Sequence, residues 1–409
     1  MRILLLNQPF HPDVVASAQI LKDLADDLVA DGHRVTAVAS ASLYGQPGTT
    51  LPARENVDGI EVIRVGHNRF GKAHVAGRLL DFAGYYVRAV AEALRGERYD
   101  AVVCLTTPPY LVLAGLLIGR LRASRVIYWL MDVYPDVMVA HGMIREGGPV
   151  HAALTRLHRA AIDRADATIV LGRCMRDRLV DQGAHPGRIH VVPVWSAAPA
   201  TEVPSREDNP YRREWDVGDR LLVMYAGNFG LAHDVGTFLQ AAEALRHDDR
   251  IRFAFVGGGL RKPEVDAFVR ERGLANCVLE GYQPRERLAE LLAAGDVHLV
   301  TMDPSMTGLL VPSKFYGVAA AGRACLFVGP PSSEVARTIH EWDCGTVLEA
   351  GNVSQMVSEL DRLAAEPERV RRMGDRAREG LQRSATRALG TARIGRLIQG
   401  DGGDGRGNG

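Results

Sequence analysis

The stretch Asp296–Gly322 reads DVHLVTMDPSMTGLLVPSKFYGVAAAG and contains the clearest structural signals in the chain. Residues 297–301 (VHLVT) combine apolar and β-branched side chains, which predicts a buried strand. A break at 302–308 follows. Pro312 or Ser313 then begins a short helix, which small residues allow to pack closely and which Gly322 ends. This order of strand, loop and helix is one repeat of an alternation that continues along the chain.

Lys314 is predicted to lie in the first turn of that helix. Free N–H groups and the helix dipole favour negative charge there, so a lone cation is unfavourable unless an anion lies beside it. The position therefore indicates a ligand phosphate. The alternative is a solvated lysine that merely tolerates its place.

The alternation of strands and helices extends over most of the sequence and predicts parallel sheets covered by helices on both faces. Strands are expected at 2–6, 34–39, 60–65, 101–104, 125–130, 167–171 and 189–193, with helices such as 16–31, 77–94 and 150–164 between them. In the second half, strands are expected at 221–225, 252–256, 278–280, 297–301, 324–328 and 345–348.

A stretch rich in proline, serine and alanine at 196–210 interrupts this pattern and predicts a linker. We therefore expect an α/β protein with two Rossmann-like, doubly wound parallel-sheet domains, 1–195 and 211–385, facing a central cleft. A C-terminal helix is expected at 386–400, with a return to the first domain as one option, and a disordered tail at 401–409. Ligands of such sheets bind at the carboxyl ends of the strands.

Composition excludes several classes of protein. The chain has 409 residues, zero formal net charge and 46% hydrophobic residues, which is typical of a soluble globular protein without a nucleic-acid partner. Five cysteines without CxxC spacing favour a reduced, cytoplasmic setting. The apolar N-terminus is too short for a signal peptide, and the apolar run at 110–118 is far shorter than the roughly 20 residues of a membrane span.

Two further strands of the second half end in glycine-rich loops. Gly227 and the glycines at 257–259 permit close approach of the backbone to a ligand. Arg261 and Lys262 then place positive charge at the start of a helix expected at 264–272. Two helix starts with cations suit a diphosphate, although a solvated surface pair is the alternative for Arg261 and Lys262.

Other nucleotide-binding patterns are absent from the sequence. There is no Walker A motif, no GxGxxG after the first strand and no Asp-x-Asp at a strand end. A P-loop ATPase and a dinucleotide fold are thus disfavoured, and a metal-bound diphosphate has no obvious ligands. We expect no metal site and no cofactor beyond a nucleotide substrate.

The first half offers acidic and imidazole side chains after its strands. Asp132 follows a buried strand and is expected to face the cleft, with a helix N-cap as the alternative that suits Asp136 at least as well. His11, Asp13 and Asp136 are the acceptor-side candidates. For His11 the alternative is an ordinary surface hydrogen-bonding role.

A basic and partly aromatic segment lies between residues 64 and 98. Its seven basic residues are Arg64, Arg69, Lys72, Arg78, Arg88, Arg95 and Arg98, interleaved with Phe70, Leu79, Leu80, Phe82, Tyr85 and Tyr86. Such a segment would suit docking to an anionic membrane. The alternative is an amphipathic helix that packs on the sheet.

Several motifs resemble family-4 glycosyltransferases. In the first half they are NQPFHP at 7–12, ASAQ at 16–19, TPP at 107–109 and DVYPD at 132–136; in the second, YAGNFGL at 225–231, FVGGG at 255–259, GY at 281–282, VPSKFYG at 311–317 and AAG at 320–322. The similarity covers about 1–385. It is closest to the WbuB-like branch, which adds sugars during bacterial surface-polysaccharide assembly.

The resemblance implies a GT-B fold and a retaining, metal-independent hexosyl or N-acetylhexosaminyl transfer. The second domain would bind a nucleotide sugar, with UDP favoured over GDP, and the first a polyprenyl-diphosphate-linked or glycan acceptor. The protein would be cytoplasmic, with peripheral contact at the inner membrane as a further expectation. Catalytic roles fall to Asp132 and Lys314, and donor binding to Gly227, Asn228, Gly230, Gly258, Arg261, Lys262, Tyr282, Gly308, Leu309, Leu310, Ser313 and Lys314.

Two departures from the family pattern leave the nucleotide base open. Many members carry two glutamates in an E-x7-E motif, and those positions are Leu309 and Gly317 here. An Arg…Lys pair after the first glycine-rich turn is replaced by Asn228 followed by His233 and Asp234. We interpret this as a variant site. The competing functions are a nucleotide-sugar epimerase, a transferase that tailors a soluble metabolite, and a catalytically silent, nucleotide-sugar-binding assembly subunit.

Overall fold

The computed structural model describes residues 1–43, 50–66, 75–196, 204–230 and 234–401. The chain divides into two compact units. The first comprises Met1–Val194, Gly308–Leu310 and Arg387–Gly409, and the second comprises Trp195–Thr307 and Val311–Thr386.

Strands and helices alternate through the first unit, as the apolar runs predict. They are β1 (Arg2–Leu6), α1 (Ala16–Ala30), β2 (Arg34–Ala39), β3 (Arg54–Val57), β4 (Ile60–Arg64), α2 (Val75–Arg95), β5 (Ala101–Cys104), α3 (Val112–Arg122), β6 (Arg125–Trp129), α4 (Asp136–Ala140), α5 (Pro149–Arg164), β7 (Ala167–Val170), α6 (Arg173–Asp181) and β8 (Ile189–Val191).

The first sheet has eight strands in the order β3-β4-β2-β1-β5-β6-β7-β8, and its pairings are parallel except that of β3 with β4. Strands β5 and β7 are buried from end to end, because helices cover both faces of a parallel sheet. The loops after β1, β5 and β6 therefore lie side by side at one edge. Gln8 N–H donates to the carbonyl of Thr107 at 2.7 Å, and Met131 N–H to the Thr106 hydroxyl at 3.3 Å.

The second unit repeats the alternation with a smaller sheet. Its elements are α7 (Pro210–Glu214), β9 (Leu221–Asn228), α8 (Gly236–Ala244), β10 (Ile251–Gly258), α9 (Lys262–Glu271), β11 (Cys277–Glu280), α10 (Leu288–Ala294), β12 (Val297–Thr301), α11 (Lys314–Ala320), β13 (Ala324–Val328), α12 (Glu334–Trp342), β14 (Gly345–Leu348), α13 (Val353–Ala365) and α14 (Pro367–Ser384).

These six strands form an all-parallel sheet in the order β11-β10-β9-β12-β13-β14. Its core combines aromatic side chains of β9 and β10, including Tyr225 and Phe255, with aliphatic side chains of α8, α13 and α14. The strand β12 and the helix α11 both lie within the stretch Asp296–Gly322. Gly322, with φ of +64°, follows α11 in the left-handed conformation that glycine accepts without strain.

The last helix, α15 (Arg387–Gln399), belongs to the first unit and packs against α1 and β6. Arg387 binds carboxylates of α1, with Nη1 2.9 Å from Asp23 Oδ1 and Nη2 2.6 Å from Asp27 Oδ1. The predicted disordered tail falls, apart from Asp401, outside the described residues.

The predicted parallel α/β architecture is confirmed, and thirteen strand positions are correct to within a few residues. Three details differ. The short strand β3 was missed, β9 and β10 run on to Asn228 and Gly258, and α11 is confined to Lys314–Ala320. The residues taken for the beginnings of two glycine-rich loops are therefore the last residues of paired strands.

Candidate functional site

Lys314 lies at the carboxyl end of β9, where several predicted donor-binding residues come together. Its Nζ donates to the carbonyl of Asn228 at 2.9 Å and contacts the hydroxyl of Tyr225. The same ammonium lies 3.8 Å from the centroid of the Tyr225 ring, a cation–π geometry. Within the part of the chain that the structure describes, no carboxylate pairs with it.

Glycines make room for this arrangement. A Cβ at Gly227 would lie 2.8 Å from Lys314 Cε, and a Cβ at Gly258 would lie 2.7 Å from the ring of Tyr282. The Tyr282 hydroxyl donates to the Gly258 carbonyl at 3.2 Å, while the ring is exposed. The structure thus brings together five predicted donor residues, namely Gly227, Asn228, Gly258, Tyr282 and Lys314, around Tyr225, which the sequence analysis did not select.

The electrostatics of Lys314 suit an anion. Burial lowers the pKa of its ammonium to about 7, because desolvation disfavours the charged form. Tyr225 offers no negative charge in return, since burial raises the pKa of its hydroxyl well above the usual value. A phosphate oxygen would supply the missing counter-charge.

Arg261 and Lys262 are correctly predicted to lie at the start of a helix, but they already have partners. Arg261 forms two hydrogen bonds of 2.8 Å with Glu264, and Lys262 pairs with Asp266. The Arg261–Glu264 pair is partly exposed, and exposed pairs contribute about 0–1 kcal/mol, so a diphosphate can compete for Arg261; the Lys262–Asp266 pair is more buried. Gly230, after β9, is partly buried.

The remaining four donor candidates precede Lys314 in the chain. Gly308, Leu309 and Leu310 belong to the first unit, where the Leu309 carbonyl accepts a 2.9 Å hydrogen bond from Val133 N–H. Leu309 is buried, and the Ser313 side chain forms no cap to α11. Ser313 directly precedes Lys314 at the start of α11, and donor binding by these four residues stays a prediction.

In the first unit, Asp132 follows the carboxyl end of β6, as predicted. Burial raises the pKa of its carboxyl group to about 6. It is not the N-cap of α4, because Pro135 holds that position. Among the described residues, Asp132 has no hydrogen-bond or ion-pair partner. A partly buried carboxylate without a partner is costly for folding alone, which makes it a candidate for chemistry.

The carboxylate of Asp136, a predicted acceptor-side residue, already has three hydrogen-bond partners. Its carboxylate accepts from His151 Nε2 at 3.0 Å, Arg178 Nε at 2.8 Å and Gln182 Nε2 at 2.6 Å. Burial by itself would raise the pKa of Asp136, but these hydrogen bonds and the charge of Arg178 outweigh it and lower the pKa. The saturated carboxylate ties α4 to α5 and α6, so the acceptor-side assignment of Asp136 has no support.

The loop after β1 contains the other two acceptor-side candidates. His11 is partly buried, and burial together with the nearby charges of Lys22 and Arg64 lowers the pKa of its ring. Asp13 is buried. Arg64, counted among the residues of a membrane-facing segment, is instead buried on β4, where it binds Glu55 and the His11 carbonyl.

Other parts of the basic segment are exposed or fall outside the description. Arg88, Arg95 and Arg98 are exposed, whereas Arg69, Phe70 and Lys72 and the side chains of Arg78 and Leu79 lie outside the described residues. No helix in the described ranges is long and apolar enough to span a bilayer. Nor do the described His, Cys, Asp and Glu side chains form a group of three that could hold a metal ion.

Comparison with known proteins identifies the family. Residues 16–195 match the glycosyl transferase 4-like domain, and residues 208–380 match the glycosyl transferases group 1 domain. The chain belongs to the family-4 glycosyltransferases. The two matches span both halves of the chain and include the Asp132 and Lys314 regions.

Relatives of this glycosyltransferase act in several settings. WcaI of Escherichia coli, named for colanic acid biosynthesis, is 22% identical over 348 residues, 82% of this chain and 85% of that protein. WbjE of Pseudomonas aeruginosa, named as a glycosyltransferase, is 29% identical over 259 residues, 61% and 63% of the two chains. The GDP-mannose-dependent alpha-mannosyltransferase of Mycolicibacterium smegmatis is 29% identical over 300 residues, 73% and 72% of the two chains.

Solved structures share the fold over nearly the whole glycosyltransferase. Anabaena HepE in complex with UDP and glucose matches with a TM-score of 0.72 at 14% identity, covering 98% of this chain and 100% of that one. Sucrose-phosphate synthase of Thermosynechococcus elongatus matches with a TM-score of 0.76 at 15% identity, covering 98% of both chains. These likenesses establish the GT-B fold.

Proposed function

We propose that the glycosyltransferase moves a hexosyl or N-acetylhexosaminyl group from a nucleotide sugar to a glycan or polyprenyl-diphosphate-linked acceptor in cell-surface polysaccharide assembly. The observation that carries the proposal is the Lys314 ammonium, held at a strand end by Asn228 and Tyr225 without a carboxylate partner. Support for the biological setting comes from WcaI, whose name places it in the biosynthesis of such a polysaccharide.

The donor is assigned to the second unit. Lys314 binds the diphosphate. Arg261 and Lys262 also bind it, once phosphate oxygens replace the carboxylates of Glu264 and Asp266 as their partners. The exposed ring of Tyr282 offers a stacking surface for the base. UDP is favoured because HepE was solved with UDP and glucose, and GDP is the second choice because a mannosyltransferase among the relatives depends on GDP-mannose.

The proposed transfer retains the anomeric configuration and needs no metal ion. The bond between the anomeric carbon and the diphosphate oxygen breaks, and the acceptor oxygen forms the new bond from the same face. The acceptor proton passes to the departing phosphate oxygen. Fixed donors such as Lys314 stabilise the charge that develops on the diphosphate. The Asp132 carboxylate orients the acceptor or stabilises positive charge at the anomeric carbon.

The substitution Lys314→Ala tests the donor site. We expect affinity for the nucleotide sugar to fall about 10- to 100-fold, which corresponds to a charge-assisted hydrogen bond of about 1.5–3 kcal/mol. Turnover should fall as well, because the interaction strengthens as the leaving group gains charge. The melting temperature of the unliganded protein should stay the same or rise, since a desolvated cation is removed.

Calorimetric titration with UDP- and GDP-sugars, followed by turnover at saturation, measures these effects. Lys22→Ala is the matched control, since Lys22 is paired with Asp26 and Asp58 in the first unit. Normal affinity and turnover in Lys314→Ala, combined with a lower melting temperature, would show that Lys314 is scaffold. Tight donor binding without turnover on any acceptor would instead favour a catalytically silent subunit.

We also propose peripheral contact of the first unit with an anionic membrane. Exposed apolar side chains lie on two helices that pack together, Leu80 and Val87 on α2 and Leu117 and Leu121 on α3. Basic residues accompany them on both helices, including the exposed Arg88 and Arg120. Apolar side chains flanked by cations suit the interface of an anionic bilayer.

Flotation with phosphatidylcholine vesicles, with and without phosphatidylglycerol, tests this contact. Wild-type protein should float with the anionic vesicles, and the double variant Leu80→Glu/Val87→Glu should bind them at least about tenfold less, because each change removes apolar area and adds like charge. Val14→Glu is the control, since Val14 is equally exposed in the first unit but lies outside these helices. Equal loss in the control would contradict docking through α2 and α3.

A further inference from the structure

A cavity of the second unit lies at the amino-terminal ends of the strands, whereas Lys314 lies at their carboxyl ends. It has a volume of about 1190 Å³ and is lined by residues that precede β9, β12 and β13 and by α14. The cluster around Lys314 lies at the carboxyl end of β9, whereas this cavity opens at the amino-terminal ends of the strands. Six arginines line it: Arg206, Arg220, Arg250, Arg323, Arg371 and Arg378.

Asp296 is the buried carboxylate of this cavity, and both of its oxygens already accept hydrogen bonds. Oδ1 accepts from Arg206 Nε at 3.0 Å, and Oδ2 accepts from Arg212 Nη1 and from the Leu222 N–H, both at 2.8 Å. Arg212 is itself buried, and its Nη1 and Nη2 groups also donate to three backbone carbonyls. The other acidic residues of the lining, Glu207, Asp219, Asp249 and Asp375, are exposed.

Arg323 is left without a partner. It lines the cavity just before β13, its Nε is buried, and its guanidinium forms no hydrogen bond or ion pair with any described residue. Burial lowers its pKa, and the positive charges of Arg212, Arg378 and Arg206 add to that effect against the attraction of Asp296. A desolvated cation among other cations is unfavourable unless an anion accompanies it.

Arg378 of α14 lies beside it with most of its donors unused. Its Nη2 donates to the Ala321 carbonyl at 3.2 Å, and the guanidinium lies against Gly322, where a Cβ would be 2.6 Å from Nη2. No carboxylate among the described residues pairs with Arg378. Two guanidinium groups with free donors therefore border one cavity.

We propose that this cavity binds a phosphorylated small molecule, with its phosphate group between Arg323 and Arg378. A tetrahedral phosphate has enough acceptor oxygens for two guanidinium forks, and arginine suits it because several N–H groups lie in one plane. The volume is ample for the organic part of a metabolite. The site is separate from the donor site and does not depend on the proposed transfer, so it assigns a regulatory or auxiliary ligand to the glycosyltransferase.

Calorimetric titration of the intact protein with inorganic phosphate, at constant ionic strength, tests the site. Arg323→Gln and Arg378→Gln should each weaken phosphate binding at least tenfold. A matched control, Arg371→Gln, should leave it unchanged, because it removes an arginine of the same cavity that is already paired with Glu368. The titration is repeated with Lys314→Ala, so that phosphate bound at the donor site is measured separately; binding between Arg323 and Arg378 should persist in this variant. Acetate at equal ionic strength should bind much more weakly than phosphate.

Three results would overturn the proposal. These are no phosphate binding by the wild-type protein, unaltered binding in both arginine variants, and loss of binding in Lys314→Ala, which would place the phosphate at the donor edge. Thermal melts accompany each titration. Arg323→Gln should melt at or above the wild-type temperature because it removes an unpaired cation, and Arg378→Gln provides a second, more exposed position that tests the same phosphate.

Discussion

Asp132 combines partial burial, no partner among the described residues and a position after the central strand β6. The raised pKa of about 6 has a thermodynamic consequence. Between about pH 4 and pH 6 the folded protein binds a proton at this carboxyl group that the unfolded chain has released. Stability therefore falls as the pH rises through that window, and at neutral pH the ionised carboxylate is a net cost to folding.

The substitution Asp132→Asn should separate stability from activity. We expect a higher melting temperature at pH 7, because the buried charge is gone, and turnover lower by about tenfold or more, because the amide cannot stabilise positive charge. Wild-type turnover should rise as the pH passes through about 6, and this rise should be absent in the variant. Melting curves and a pH–rate profile measure both effects.

The exposed Asp181, at the end of α6, offers a matched control, since Asp181→Asn should alter neither quantity. If Asp132→Asn melts lower and turns over normally, Asp132 is a structural residue and the catalytic assignment fails.

For single residues, the sequence predicted where in the fold a side chain lies, but it did not predict which distant side chains contact it. The strand pattern placed Asp132 and Lys314 correctly after a strand and at a helix start. It could not show that Tyr225 and Asn228 hold Lys314, because those contacts join residues nearly 90 positions apart. Nor could it show that Asp136 is saturated by side chains from α5 and α6. Local patterns contain no information on such distant neighbours.

Among the elements, the strand β3 has a sequence signal in the turn that follows it. It pairs with β4 through the two-residue turn Asp58-Gly59, and both turn residues have positive φ, +52° and +87°. An Asp-Gly pair between strands is a strong signal for such a hairpin. The pattern was missed because β3 (RENV) is polar and partly exposed, so it lacks the apolar run that marked the other strands.

The pairing of β9 with β10 depends on glycine at its carboxyl end. Gly257 has φ of +129°, and a Cβ there would lie 2.0 Å from the carbonyl oxygen of Gly227. The glycines at 257–259 were predicted to permit close approach of a ligand. Gly257 instead permits close approach of the neighbouring strand β9. Gly227 in turn leaves space for the Lys314 side chain. The contact between Gly227 and Gly257 therefore supports both the strand pairing and the donor cluster.

Gly257→Ala should therefore destabilise the protein by at least about 2 kcal/mol and weaken nucleotide-sugar binding, because the clash is with backbone and the φ is strained. Chemical denaturation and titration measure the two effects. The control is Gly281→Ala, where an added Cβ meets nothing within 4 Å and the change should stay within about 0.5 kcal/mol. Equal stability of the two variants would contradict the close-packing account.

At the level of the whole molecule, the last helix, α15, belongs to the first unit although it follows the second unit in the sequence. The interruption at 196–210 and the restart of the pattern indicated two domains, and the helix at 386–400 was expected with its destination open. The destination could not be predicted, because it depends on apolar residues of α15 that match a surface formed hundreds of residues earlier. Ile394, Leu397 and Ile398 are buried there, and Arg387 binds Asp23 and Asp27 of α1.

Deleting residues 387–409 should selectively destabilise the first unit. Three buried aliphatic side chains, at about 1.5–3 kcal/mol each, represent a large share of the roughly 5–15 kcal/mol that stabilises a domain. Scanning calorimetry should show the transition of the first unit lowered or lost, while the transition that rises with added nucleotide sugar stays near its wild-type temperature. A chain that ends at Asp401 keeps α15 and should melt like the full protein. Equal lowering of both transitions would mean that α15 stabilises the two units alike, against its assignment to the first.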